Sequence, residues 1–173
     1  MEFHTGYYGI TMSGKTTMAR HIARECAKAK HAIVVFDPIG SGTHGGDWPK
    51  ESRIYSDPEH FGRDIARTQN AQVFIDEADL IFPHANKDNH WLMRRGRHQG
   101  LYVHLITQRP NLVDPSCRSM CGRAYLFRLN KTDRVAILAD HGHEDIMPST
   151  GHGDFIMVDN RSSDIMSGNV FKL

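Results

Sequence analysis

Gly9-Ile10-Thr11-Met12-Ser13-Gly14-Lys15-Thr16 reads G-x-x-x-x-G-K-[ST], the spacing of a phosphate-binding (Walker A) loop. In such a loop successive backbone N–H groups, here around Ser13 and Gly14, turn inward and cradle the β- and γ-phosphates of a nucleotide. Lys15 adds a positive charge, and the Thr16 hydroxyl is placed to ligate Mg²⁺ at the start of the following helix. A nucleoside triphosphate with Mg²⁺ is the expected ligand, with Thr11, Met12, Ser13, Gly14, Lys15, Thr16 and Thr17 as the nucleotide-binding set. Helix formers from Met18 to Ala23 follow directly, which separates the stretch from a chance Gly-rich turn.

A second constellation is Gln72-Val73-Phe74-Ile75-Asp76-Glu77, a hydrophobic strand ending in two carboxylates (Walker B). Asp76 is expected to hold the Mg²⁺ shell opposite Thr16. Glu77, one residue on, is expected to polarise a water in line with the γ-phosphate, because water is a poor nucleophile until oriented and partly deprotonated. Asp79 reads as surface or helix cap. The third is Leu105-Ile106-Thr107-Gln108-Arg109-Pro110. Here Gln108 stands either as an ordinary loop residue or as a neutral amide that bonds both the phosphate and the attacking water. Arg109 reads as a cap or a phosphate contact.

These groups need a frame that brings strand ends together, and the chain alternates strand and helix. The periodicity predicts a short strand around Tyr7-Tyr8, a helix from Lys15 to about Lys30, and a buried strand His31–Phe36. It continues with a loop Gly40–Pro49, a helix Pro58–Thr68, a strand Ala71–Ile75, a helix Asn89–His98 and a strand Leu101–Thr107. Strand Arg123–Leu129, helix Thr132–Asp140 and two last strands, Asp154–Val158 and Asn169–Leu173, complete the expectation. The result is a doubly wound α/β sheet with ligands at the carboxyl ends of its strands.

The chain has 173 residues, the size of one domain. Lys plus Arg number 21 against 20 Asp plus Glu, so bulk charge argues neither for nor against a nucleic-acid partner. The apolar run Ala32–Phe36 is far too short to span a bilayer, and Met1-Glu2-Phe3-His4 does not begin a secretory signal. Cys26, Cys117 and Cys121 form an odd set suited to a reducing compartment, and Cys117 and Cys121 read as structural thiols. Twelve histidines are many for this length. His141, His143 and His152, with Glu144 and Asp154, lack the spacing of a known ligand set and read as solvated loop residues.

Taken together, the phosphate loop, Asp76-Glu77, and Arg97-His98-Gln99-Gly100 followed by a strand and Thr107-Gln108-Arg109-Pro110 resemble the HerA/FtsK superfamily of DNA-pumping ATPases. Gly122-Arg123-Ala124-Tyr125-Leu126-Phe127 matches that superfamily's arginine-bearing strand. Asp133-Arg134 is similar to its acidic-arginine turn, and Gly153-Asp154-Phe155 to its entry into the last strand. The resemblance runs from about residue 6 to 158 and implies a single RecA-like P-loop NTPase domain of the ASCE type, with a mostly parallel central sheet flanked by helices. It also implies ATP hydrolysis coupled to movement of double-stranded DNA, in a homo-oligomeric ring, commonly a hexamer. With only eight residues before Gly9, the chain is expected to lack accessory domains, which makes it most similar to the genome-packaging ATPases of membrane-containing tailless viruses and phages. Host cytoplasm or virion is then the expected place, and capsid-vertex or membrane proteins the expected partners.

By the same resemblance Arg123 and Arg134 are candidate catalytic arginines donated to a neighbour's ATP, alongside Glu77 and Gln108. The cluster Arg94-Arg95-Gly96-Arg97-His98 is open to three readings: a solvated helix face, a trans arginine, or phosphate contacts to DNA. Two rivals stand beside the packaging reading. A thymidine-kinase-like enzyme shares Met12-Ser13-Gly14-Lys15-Thr16-Thr17 and an Asp-Glu pair, but needs a four-ligand zinc site that three cysteines without Cys-x-x-Cys do not supply. A filamentous-phage-type assembly ATPase shares the core but usually continues into a transmembrane segment.

Overall fold

A computed structural model describes residues 3–40, 48–141, 151–160, 162 and 164–173. The strands are β1 (His4–Tyr8), β2 (Ala32–Phe36), β3 (Arg53–Tyr55), β4 (Ala71–Ile75), β5 (Leu101–Thr107), β6 (Cys121–Leu126), β7 (Asp154–Asp159) and β8 (Asp164–Asn169). The helices are α1 (Lys15–Lys28), α2 (Pro58–Ile65), α3 (His90–Arg95), α4 (Pro115–Arg118) and α5 (Lys131–His141). All eight strands form one sheet, in the order β3-β2-β4-β5-β1-β6-β7-β8. The first six of that order run parallel, and β7 and β8 add an antiparallel edge.

Runs such as Ala32-Ile33-Val34-Val35-Phe36 are apolar throughout because both faces of the sheet are covered. Alternate residues go to opposite cores. Val34, Phe36, Val73, Ile75, Val103 and Leu105 pack with Phe61, Ile65, Leu92 and Ile137 from the helices on one face. On the other face Tyr7, Ile33, Val35, Phe74 and Ile106 pack against α1, which buries Met18, Ala19, Ala23 and Cys26. Helix α2 starts where its sequence says it should: the Asp57 side chain accepts from His60 N at 2.7 Å, and Pro58 occupies the first turn.

The doubly wound sheet expected from the sequence is the fold observed, with local differences. Strand β3 lies at the sheet edge, where no strand was expected, and α4 is a single turn too short for a helical period to reveal. The expected helix Asn89–His98 splits into α3 and a 3-10 turn Gly96–Gln99, closed by Gly100 at φ 69°, a conformation that favours glycine. The expected final strand Asn169–Leu173 is wrong. The strand is β8, and Val170–Lys172 form a 3-10 turn started by Asn169, whose side chain accepts from Phe171 N at 3.0 Å.

Several histidines are structural. His104 is fully buried in β5, where its Nδ1 pairs with the Tyr7 hydroxyl (2.8 Å) and its Nε2 with Gln72 Oε1 (2.9 Å), and Phe74 stacks on its ring. Burial pulls its pKa down to about 3. His141 is buried at the end of α5, not solvated, and its Nδ1 meets the Asn160 amide at 2.7 Å. His143 and Glu144 lie outside the described residues. Among the described residues no helix is long and apolar enough to cross a membrane.

The consequence for function lies in the strand order. β5 is inserted between β1 and β4, with Tyr8 registered on Thr107 and Leu105 on Ile75. The phosphate loop after β1, Gln108 after β5 and Asp76-Glu77 after β4 therefore leave the same edge of the sheet side by side.

Candidate active site

The loop after β1 turns through two left-handed residues, Met12 (φ 60°) and Gly14 (φ 105°). Gly14 is required twice over, since its φ disfavours side chains and a Cβ would stand 2.8 Å from Val170 Cγ1. The turn leaves the first backbone N–H groups of α1 facing a cleft of about 490 Å³. All seven residues expected to bind nucleotide, Thr11 through Thr17, line this cleft, together with Asp76, Glu77 and Gln108. Lys15 is largely buried, and its Nζ donates to Ile10 O at 2.9 Å. Burial lowers its pKa, an effect opposed by the charges of Asp76 and Glu77.

Thr16 Oγ1 donates to Asp76 Oδ2 at 3.0 Å, the pairing a shared Mg²⁺ shell requires. Burial raises the Asp76 carboxyl to about 6, with the charges of Glu77 and Asp37 adding to the effect and the Thr16 hydroxyl opposing it. Asp76 Oδ1 in turn accepts from the backbone N of Glu77 at 3.0 Å. Glu77 itself is held at φ 50°, ψ 56°, a costly conformation for a residue that is not glycine and one that collects at functional sites. Its pKa is also raised, first by burial and then by Asp79, while a hydrogen bond from Gln108 works the other way.

Gln108 connects the site. Its Nε2 donates to Glu77 Oε1 at 3.1 Å, and its Oε1 accepts from the Thr11 hydroxyl. The side chain thus spans from the phosphate loop to the second carboxylate. Thr107, the last residue of β5, accepts from Arg109 N at 3.0 Å and donates to Asp79 at 3.4 Å, while the Arg109 side chain is exposed.

Two parts of the cleft are absent from the sequence reading. Asp37, at the end of β2, is buried and accepts from Trp48 Nε1 (2.9 Å), Gly40 N (3.0 Å) and Ile39 N (3.3 Å). Arg20 of α1, also buried, meets Asp37 Oδ2 at 3.5 Å, with its guanidinium 5.2 Å from the Trp48 ring centre. The signal was only a carboxylate ending a buried strand, the same signal as Asp76. The other part is the C-terminal turn, where Phe171 stacks on His152 with ring centres 4.8 Å apart and both rings line the cleft.

The arginines lie elsewhere. Arg123, the third residue of β6, lies toward the end of the sheet opposite the phosphate loop, pairs with Asp159 Oδ2 at 2.8 Å, and lies 4.7 Å from the Phe3 ring centre. Arg134 is half-buried on α5, beside Asp133, whose carboxylate accepts from Asn111 at 2.8 Å and from Asn130. Arg94, Arg95 and Arg97 are exposed just before β5, also on the edge away from the cleft.

The residues present fit ATP with Mg²⁺. Ser13 Oγ is buried in the loop without a hydrogen-bond partner, as a phosphate-facing hydroxyl would be, and the Thr16 hydroxyl and the Asp76 carboxylate, both oxygen donors of the kind Mg²⁺ takes, already meet at 3.0 Å. Lys15 and the loop N–H groups would hold the phosphates, with Thr16 and Asp76 on the cation.

Comparisons with known proteins bear on the fold and the family. The chain is similar to the genome packaging NTPase B204 of Sulfolobus turreted icosahedral virus 2 in complex with AMPPCP, at TM-score 0.76 and 16% identity, covering 97% of both chains. It is similar to the pCW3 conjugation coupling protein TcpA bound to ATPγS, at TM-score 0.72 and 14% identity, covering 97% of this chain and 60% of that one. The cytoplasmic domain of the Thermomonospora curvata type VII secretion ATPase EccC follows at TM-score 0.67 and 13% identity, covering 97% and 24%. At these identities the likeness is one of fold, the P-loop NTPase fold expected from the HerA/FtsK resemblance. No curated protein matches the chain by sequence. The family model described as zonular occludens toxin (Zot) matches residues 47–141, more than half of the chain and the part that contains Asp76, Glu77 and Gln108. On that match the chain belongs to the Zot family.

Proposed function

We propose that the chain is an ATP-hydrolysing translocase of double-stranded DNA, working as a viral genome-packaging ATPase in a homo-oligomeric ring, a hexamer by resemblance. The observation that carries the hydrolytic part is the bridge from Thr11 through Gln108 to Glu77. It ties the loop that grips the γ-phosphate to the carboxylate that would deprotonate water. Lys15 and the loop amides bind the phosphates, and Thr16 and Asp76 hold Mg²⁺. Bound Mg²⁺ supplies positive charge against the phosphate oxygens. Glu77, its pKa raised by burial, accepts the proton of the attacking water, and the Gln108 amide fixes that water's direction.

The DNA-facing part rests on resemblance and on the exposed cluster Arg94, Arg95 and Arg97. Contacts from such a cluster go to phosphates and are independent of sequence. Arg123 and Arg134 remain the candidates for completing a neighbour's site, and Arg123 is held by Asp159 within its own chain. In this reading the ring works in the host cytoplasm or on the virion, against a capsid-vertex or membrane partner.

The test is ATP hydrolysis by the purified chain with and without double-stranded DNA at low salt. Weak turnover alone and stimulation by DNA, both lost in Glu77→Gln with ATP binding retained, support the proposal. Phosphorylation of thymidine, or DNA that neither binds nor stimulates at any salt, overturns it. Mixing Glu77→Gln subunits with Arg134→Ala or Arg123→Ala subunits tests sharing between neighbours. Turnover that is a simple average of the two argues against trans arginines.

A further inference from the structure

Behind the active site, on the α3–α4 side of the sheet, three side chains converge. His90 opens α3, Asp114 starts α4, and Cys117 lies within α4. All three are buried, at 3%, 6% and 1% exposure, and one donor atom from each lies within 4.8 Å of the others. Neither ring nitrogen of His90 has a hydrogen-bond partner. A buried imidazole without partners forfeits bonds it would make in water, a cost of about 1–3 kcal/mol per unsatisfied group, so it calls for an explanation.

We infer that His90, Asp114 and Cys117 form a zinc-binding site that fastens the segment leaving β4 to the segment leaving β5. An imidazole, a carboxylate and a thiolate are all ligands that zinc accepts, and the mixed set with sulfur selects against Mg²⁺. Zinc bonds of about 2.0–2.3 Å hold tetrahedral donors about 3.5 Å apart, so rotations moving each donor by about an ångström close the triad. Asp114 is prepared for this. Its Oδ1 accepts from Ser116 N (2.8 Å) and Ser116 Oγ (2.6 Å), the outer support that fixes a metal-binding carboxylate, and neither of these bonds occupies Oδ2. Lys87 Nζ stands 3.8 Å from Oδ2 on a side chain 64% exposed, long enough to swing into solvent when a cation arrives. Water supplies the fourth ligand.

The position gives the site a purpose. Asp114 N already donates to Phe82 O at 2.9 Å, and Pro83 bridges to Val113, so the two segments run together here. One begins just after Glu77 and the other just after Gln108. A metal clamp would hold the bases of the two catalytic loops at fixed separation while their tips act on the nucleotide. Cysteine spacing concealed the site, because its ligands come from two segments and only one of them is a thiol.

Cobalt titration of the full chain, stripped with chelator and free of nucleotide, tests it. About one Co²⁺ per chain is expected, with a thiolate-to-cobalt charge-transfer band that zinc abolishes by displacement. The band is lost in Cys117→Ser and shifted or weakened in His90→Asn. It persists in Cys121→Ser, whose thiol is equally buried, and in Asp76→Asn, which removes the Mg²⁺ ligand. No band in the wild-type chain, or a band that survives Cys117→Ser, overturns the proposal. Should Cys117→Ser or His90→Asn fail to fold, the wild-type titration decides together with the two other cysteine variants. Its band supports the site when Cys26→Ser and Cys121→Ser retain it, and overturns it when either of them abolishes it.

Discussion

Gln108 Nε2 donates to Glu77 Oε1 across 3.1 Å, joining two residues 31 positions apart at the ends of adjacent parallel strands. The contact has two faces. It lowers the pKa of a carboxylate that burial raises, and it fixes the orientation of a side chain whose backbone is held in the left-handed region. The same amide accepts from Thr11, so a change at the phosphate loop reaches the carboxylate through one side chain.

Removing that link should separate binding from chemistry. Glu77→Gln is expected to cut kcat by at least about 10²-fold, the scale of a lost general base, with nucleotide affinity nearly unchanged. Gln108→Ala should cost less, about 10-fold, because Glu77 remains and only its orientation is loosened. Steady-state hydrolysis together with equilibrium binding of a fluorescent nucleotide checks both. A Gln108→Ala variant with wild-type kcat would show that the bridge is not used.

Asp37 is expected to matter for stability more than for turnover. Its buried carboxylate collects three N–H donors and faces the buried Arg20 guanidinium. Asp37→Ala takes the carboxylate from beside Arg20 and leaves Trp48 Nε1 unpaired, for an expected loss of about 3 kcal/mol. Asp37→Asn should lose less, since the amide oxygen still accepts. Urea denaturation midpoints of the three chains check the order.

What was legible in the sequence was whatever announces itself locally. The phosphate loop is a contiguous motif, and Ile75-Asp76-Glu77 ends a run of apolar residues that only a strand buried on both faces explains. Other features depend on contacts between distant residues. Arg20, Asp37 and Trp48 meet across three elements, and each alone is an unremarkable residue. Val170–Lys172 is as apolar as a strand, yet it folds as a turn because Asn169 bonds to Phe171 N and Val170 N donates to Gly153 O. The short β3 and α4 carry too few residues for any periodicity to form.

The pH dependence follows from Asp76. Its carboxyl titrates at about 6 in the folded, nucleotide-free chain against 3.8 for an exposed aspartate. Between those values the folded state holds the proton and the unfolded state does not, so this group stabilises the fold at low pH. That contribution is lost as pH rises through about 6. Asp76→Asn should therefore be more stable than wild type at pH 7, by about 2–3 kcal/mol, and the gap should close by pH ~4. Mg²⁺ competes with the same proton, so added Mg²⁺ and nucleotide should narrow the gap at pH 7. Denaturation midpoints across pH for the two chains measure the difference directly, and a gap independent of pH would contradict the shifted carboxyl.

Glu77 offers a complementary experiment, because its backbone rather than its charge is at issue. At φ 50°, ψ 56° it sits in a region that costs a residue with a side chain about 1–2 kcal/mol and a glycine almost nothing. Glu77→Gly should therefore abolish hydrolysis and yet leave the nucleotide-free chain as stable as wild type or more so, with part of the relief offset by the greater freedom of glycine in the unfolded chain. Glu77→Ala keeps the strained backbone and removes the carboxylate. The stability difference between the glycine and alanine variants, read from thermal denaturation, then isolates the strain. Glycine should be the more stable of the two by about 1 kcal/mol. An alanine variant that matches or exceeds the glycine variant would mean that the loop relaxes out of the left-handed region once the carboxylate no longer meets Gln108. The side-chain hydrogen bond, and not the backbone around it, would then be what sets the position of Glu77.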